Sequence, residues 1–163
     1  MVRLGAVICA LVLVIASAEE SAGQTGRLTG LEEIRVVVES LGAMEDKTGL
    51  KQGDLTIHVL TVLRNRLPRL VINGTADSFL WVNARLAMSE TGGRSNYYYG
   101  AIWVGLFRPV VIKKTGLPIN AMVWYRASGV EGALEGANGH VRQTLNQIFA
   151  HFTTEWMRDN PER

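Results

Sequence analysis

The chain has 163 residues, with 17 basic side chains against 15 acidic ones, a formal charge of +2 and 47% apolar residues. This balance excludes both the basic footprint of a nucleic-acid-binding domain and the low-hydropathy composition of a disordered chain. Its one cysteine, Cys9, excludes an internal disulfide framework.

Residues 1–18 read as a secretory signal peptide. Arg3 is an early cation, positions 4–15 are an apolar run, and Ala16-Ser17-Ala18 gives the A-x-A cleavage pattern. The run is shorter than the about 20 residues that a spanning helix needs. Cleavage after Ala18 would remove Cys9 and Arg3, leaving no thiol and a net charge one unit lower. The remainder suffices for one core and is short for two. Residues 19–29 are polar and glycine-bearing and are expected to form a flexible leader; 30–163 are expected to form a single α+β domain.

A β-branched stretch over 34–41 predicts the first strand. The segment "GAMEDKTG" follows as a polar breaker. Leu55, Val59, Val62 and Leu63 then recur at helical spacing, which predicts a helix over 51–67 that ends at Pro68. A short strand over 69–72 comes next. Strict alternation over 79–88 predicts a strand with Leu80, Val82, Ala84, Leu86 and Met88 on one face and Phe79, Trp81, Asn83 and Arg85 on the other. Residues 89–96 suit a hairpin loop. A long strand over 97–112 carries Pro109, and a last strand is expected over 121–128. After four glycines, Val141, Leu145, Ile148, Phe149, Phe152 and Trp156 form an apolar helical stripe that ends at Asn160-Pro161. The order β-α-β-β-β-β-α predicts a two-layer α+β sandwich, with a mixed sheet of four to five strands and two helices on one face.

Gly129, Gly132, Gly136 and Gly139 lie where a strand-to-helix turn could cradle a phosphate. Their spacing is not G-x-G-x-x-G, no Gly-Lys-Ser/Thr ending occurs, and Glu131 and Glu135 would repel an anion. They are expected to be a hinge-like connector. His140 and His151 are about 16 Å apart along one helix at 1.5 Å per residue. With His58, they are expected to be solvated or capping side chains and not metal ligands. The pairs Glu32-Glu33 and Glu45-Asp46 read as solvated acids, and no serine lies in a G-x-S-x-G context. Asn73-Gly74-Thr75 matches a glycosylation sequon. No catalytic motif, cofactor or metal site is therefore expected.

The facing of the strands leaves one unusual feature. If Leu80, Val82, Tyr98, Ile102, Val104 and Leu106 meet the helices, then Trp81, Tyr97, Tyr99, Trp103 and Phe107 point outward together. A water-facing sheet normally alternates with polar residues, and clustered exposed rings mark interfaces. These five are the expected partner surface.

The segments Val36–Glu39 ("VVVE"), Gly49-Leu50, Leu80–Asn83 ("LWVN") and Asn160-Pro161 resemble a group of uncharacterised exported bacterial proteins. Their order is also similar to the amino-terminal domain of TolB and to LpoB-type activators of cell-wall synthases. The resemblance implies an exported, periplasmic or secreted, non-catalytic domain that binds an envelope protein or a copy of itself. It implies no nucleic-acid partner, and membrane contact only through an uncleaved signal segment. A small-ligand carrier with a pocket between the sheet and the last helix is the alternative expectation, and an envelope hydrolase a further one.

Overall fold

The structure, a computed structural model, describes residues 26–89 and 96–161. The expected signal peptide, and positions 90–95 of the expected hairpin loop, lie outside the described residues.

The elements run β1 (Glu33–Val38), α1 (Met44–Thr48), α2 (Gln52–Arg66), β2 (Val71–Ile72), β3 (Phe79–Met88), β4 (Tyr97–Val111) and β5 (Pro118–Ala133). A 3-10 turn (Leu134–Gly136) and α3 (Ala137–Asp159) complete the chain. The sheet order is β2-β1-β3-β4-β5, with β1 parallel to β2 and β3, and the other neighbours antiparallel. This is the mixed five-stranded α+β sandwich that the periodicities imply. Residues 73–78 carry the chain from β2 on one side of β1 to β3 on the other.

The inner face follows from the alternation. Ile34, Leu80, Ile102, Val104 and Leu106 have no exposed surface, and they meet Leu55 and Val59 of α2 and Val141, Leu145, Phe149 and Phe152 of α3 in one apolar core. Each such side chain stabilises the fold by about 1.5–3 kcal/mol through burial. Trp124 of β5 packs edge-on against Phe152, with ring centroids 5.0 Å apart, and its indole donates to Glu155 Oε2 at 3.0 Å.

Three expectations need correction. The polar breaker contains a short helix, α1, between Gly42 and Gly49, which adopt φ of 60° and 68°. Its Met44 joins the core. The glycine connector is taken up by regular elements: Gly129 and Gly132 pair with Ala101 and Tyr98 of β4, so β5 runs five residues beyond the expected end at 128, while Gly136 closes the 3-10 turn and Gly139 lies in the first turn of α3. Finally, the expected flexible leader is described from Gly26 on, and there it belongs to the packed body. Leu28 is fully buried, its N–H bonds Asp159 Oδ2 at 3.1 Å, and Asn160 Nδ2 donates to its carbonyl at 2.9 Å. Gly30 N–H bonds Asn160 Oδ1 at 2.9 Å, and the Trp156 indole donates to the Leu31 carbonyl at 2.9 Å.

Candidate interaction face

On the outer side of the sheet, pairing sets Arg35 opposite Phe79 and Val37 opposite Trp81. On the far side of β3, Phe79 pairs with Phe107 and Asn83 with Trp103. Of the five rings nominated from the sequence, Tyr97 is 46% exposed, Tyr99 51% and Trp103 36%. Trp81 and Phe107 are only half-buried, because they form a surface cluster of their own. Phe79 and Phe107 stack with centroids 4.8 Å apart, Trp81 meets Phe107 edge-on at 6.5 Å, and the Arg35 guanidinium lies 4.7 Å from the Phe79 ring centre.

Two members of the face escaped the sequence reading. Met122 and Tyr125 of β5, 51% and 60% exposed, also point outward. They are three residues apart, so plain alternation would place them on opposite faces. A bulge between Leu106 and Phe107 of the β4 register pairs Phe107 with Met122 and Leu106 with Trp124, leaving Val123 as the extra residue. That bulge returns Tyr125 to the Met122 side. Gly105 lies beneath them, where an added Cβ would come within 3.0 Å of the Met122 sulfur.

The polar centre of the face is Glu39, at the end of β1. The Trp81 indole N–H donates to Glu39 Oε1 at 2.8 Å, Asn83 Nδ2 donates to Glu39 Oε2, and Arg85 Nη2 stands 3.8 Å from the same oxygen. Both carboxylate oxygens are thus occupied by donors, and no histidine joins them. The cluster fixes the orientation of the Trp81 indole on this face. Asn83 is buried, and its Oδ1 has no partner among the described residues.

The histidines are not all solvated as expected. His140 Nδ1 lies 2.7 Å from the hydroxyl of buried Tyr98, whose pKa is pushed up by burial and by neighbouring Tyr97. His58 of α2 faces Arg142 and Asn146 of α3; burial, then the Arg142 charge, lower its pKa. His151 is exposed. Among the described residues no group of three acidic, histidine or cysteine side chains could hold a metal ion. Asn73 of the sequon is engaged within its turn, its Oδ1 accepting from the Thr75 N–H and hydroxyl at 3.0 and 2.9 Å.

The carrier alternative needs space between α3 and the sheet. There Val141, Leu145, Phe149 and Phe152 are fully buried against the core. The depression nearest the β5–α3 junction, about 740 Å³, opens to solvent between Lys47, Thr48, Gly49, Asn96 and residues 133–135, and not beneath the helix. A second one, about 420 Å³, lies beside Arg35, residues 74–77, Pro109 and Asn120. No helix of the described residues is long and apolar enough to cross a membrane.

No family model matches the chain, and no curated protein matches it. Among solved structures it is similar to the hypothetical protein CT253 from Chlamydia trachomatis, at 7% identity over 76% of this chain and 96% of that one, with a TM-score of 0.49. The PelC dodecamer from Paraburkholderia phytofirmans is similar at 12% identity over 86% and 93%, with a TM-score of 0.43. A minor lipoprotein from Acinetobacter baumannii is similar at 9% identity over 80% and 92%, with a TM-score of 0.33.

Proposed function

We propose that the chain is an exported, non-catalytic binding protein that docks a protein on the outer face of its sheet, a second copy of itself being the simplest occupant. The observation that carries this is the outward row of Tyr99, Trp103, Met122 and Tyr125, 36–60% exposed on the side opposite α2 and α3. Exposed Arg85 and Glu131 give the face both signs of charge, as a self-complementary contact requires. Export rests on the signal pattern of residues 1–18.

An aromatic side chain buries about 150–250 Å² when fully covered. At their exposures, Tyr99 and Trp103 together leave about 180 Å² to cover per copy, worth up to about 4.5 kcal/mol at about 25 cal/mol per Å². Tyr99→Ser combined with Trp103→Ser is expected to weaken association by about 100-fold or more while the thermal unfolding midpoint stays near that of the parent. Sedimentation velocity reads self-association, and crosslinking in the native cells reads capture of another protein. A parent chain that stays monomeric and captures nothing, or a variant that associates like the parent, defeats the proposal.

A further inference from the structure

Past Phe107, strand β4 has no β3 neighbour: the last β3–β4 pair is Phe79 with Phe107. Strands β4 and β5 nevertheless stay paired from Arg108–Ala121 out to Val111–Pro118. A two-stranded ribbon therefore projects from the sheet, about 17 Å from Phe107 to Ile112 at 3.4 Å per residue. It closes through residues 113–116: Gly116, at φ 70°, donates its N–H to the Ile112 carbonyl at 2.8 Å, and Ile112 N–H bonds the Leu117 carbonyl at 2.9 Å.

The ribbon is apolar on both sides. Val110 pairs with Ile119 on one side, and Val111 with Pro118 on the other. Val111 is 66% exposed, Leu117 60%, Ile119 45% and Ile112 39%. The fold gains nothing from aliphatic side chains held there in water. A flat protein partner would cover one side only; a medium that surrounds the ribbon covers both. The ribbon's own charges are of one sign, although Asp77 of the 73–78 connection shares a depression with Pro109 and Asn120 near its base. Lys113 and Lys114 crown the turn, Arg108 stands at the base, and residues 91–130 contain no Asp or Glu. Aliphatic side chains at a tip, with lysines able to reach back to phosphates, match the boundary between acyl chains and anionic headgroups.

We infer that the ribbon inserts into an anionic phospholipid surface as a shallow anchor. Arg108 Nη1 donates to the carbonyls of Arg27 and Thr29 at 3.4 and 3.1 Å, so the amino-terminal segment joins the body at the ribbon's base.

The test uses the full chain with Cys9→Ser and a nitroxide on Thr115→Cys, or on exposed Thr154→Cys of α3 as the control. Phosphatidylcholine vesicles with and without about 30% phosphatidylglycerol, whose negative surface potential attracts lysines, are the probe. Immersion depth at residue 115 separates the ribbon from any binding by residues 4–15. The expected result is a label at 115 within the lipid of anionic vesicles and a label at 154 in water. Lys113→Ala with Lys114→Ala is expected to weaken the anionic-vesicle contribution by about 30-fold, about fivefold per lysine. Val111→Ser with Leu117→Ser, both at solvent-exposed positions, is expected to return the 115 label to water without loss of fold. Tyr99→Ser with Trp103→Ser should leave immersion unchanged, which keeps this inference separate from the docking face. A label at 115 that stays in water on anionic vesicles overturns the inference. So does immersion insensitive to both double variants, or shielding of residue 115 that grows with protein concentration in the absence of vesicles.

Discussion

Two glycines on paired strands should respond oppositely to the same methyl group. At Gly100 of β4, an added Cβ would fall against the Arg85 carbonyl oxygen and lie 2.9 Å from the Leu86 Cα. Both obstacles are backbone of the adjacent strand, which can retreat only by opening the β3–β4 ladder. Overpacking costs about 1–3 kcal/mol and each ladder hydrogen bond lost about 0.5–1.5 kcal/mol, so Gly100→Ala should destabilise by about 2–4 kcal/mol. At Gly129 of β5, one register step away opposite Ala101, the nearest atom to an added Cβ is the Gly100 carbonyl oxygen at 4.0 Å. Gly129→Ala should therefore be neutral or stabilise by up to about 1 kcal/mol, since alanine restricts the unfolded chain more. Urea unfolding followed by circular dichroism, with equal slopes for all three proteins, reads both values. If Gly100→Ala unfolds within about 0.5 kcal/mol of the parent, the close approach of β3 and β4 inferred here is wrong.

Two pH effects follow from the buried polar groups. Burial and Arg142 lower the His58 pKa in the folded state, so unfolded chains bind a proton more readily below the ordinary value of about 6.5. The unfolding midpoint should hold above that pH and fall as pH drops toward the depressed folded value; His58→Gln should flatten the slope. Asp159 behaves as a lowered carboxylate: burial pushes its pKa up, but donors led by the Leu28 N–H outweigh it. Its stabilisation is present above about pH 3.9 and lost as pH falls through the depressed value. Asp159→Ala should cost about 1.5–3 kcal/mol at pH 7, measured by denaturant titration, and should remove that acid-limb component.

The architecture was legible wherever alternation was strict and long. Phe79–Met88 is the strand its pattern describes, and the inward set from Leu80 to Leu106 is the set the helices cover. Helix α1 was not legible because five residues are too few to show a period, and its bounding glycines read equally well as loop. Gly129 and Gly132 misled for a different reason. Glycine reports local freedom, whereas here the neighbouring strand fixes the conformation: large Tyr98 and Trp103 of β4 pair with Gly132 and Ala127 of β5, so small residues make room for rings. The candidate face was legible in its β4 part. Its β5 part depended on the bulge at Val123, which shifts parity by one and leaves no mark in hydropathy. The strand order, with β1 set between β2 and β3, carries no local signal.

The pairing of Leu28 and Gly30 with Asp159 and Asn160 brings the two ends of the described body together. Tension entering from the leader would thus be carried into the last turn of α3, in series with the helix and not by peeling strands from the sheet. The same neighbourhood makes the topology nearly closed: a short linker bridging the ends, with a new opening cut in the turn at 113–116, would preserve every strand pairing while relocating both termini to the ribbon's apex.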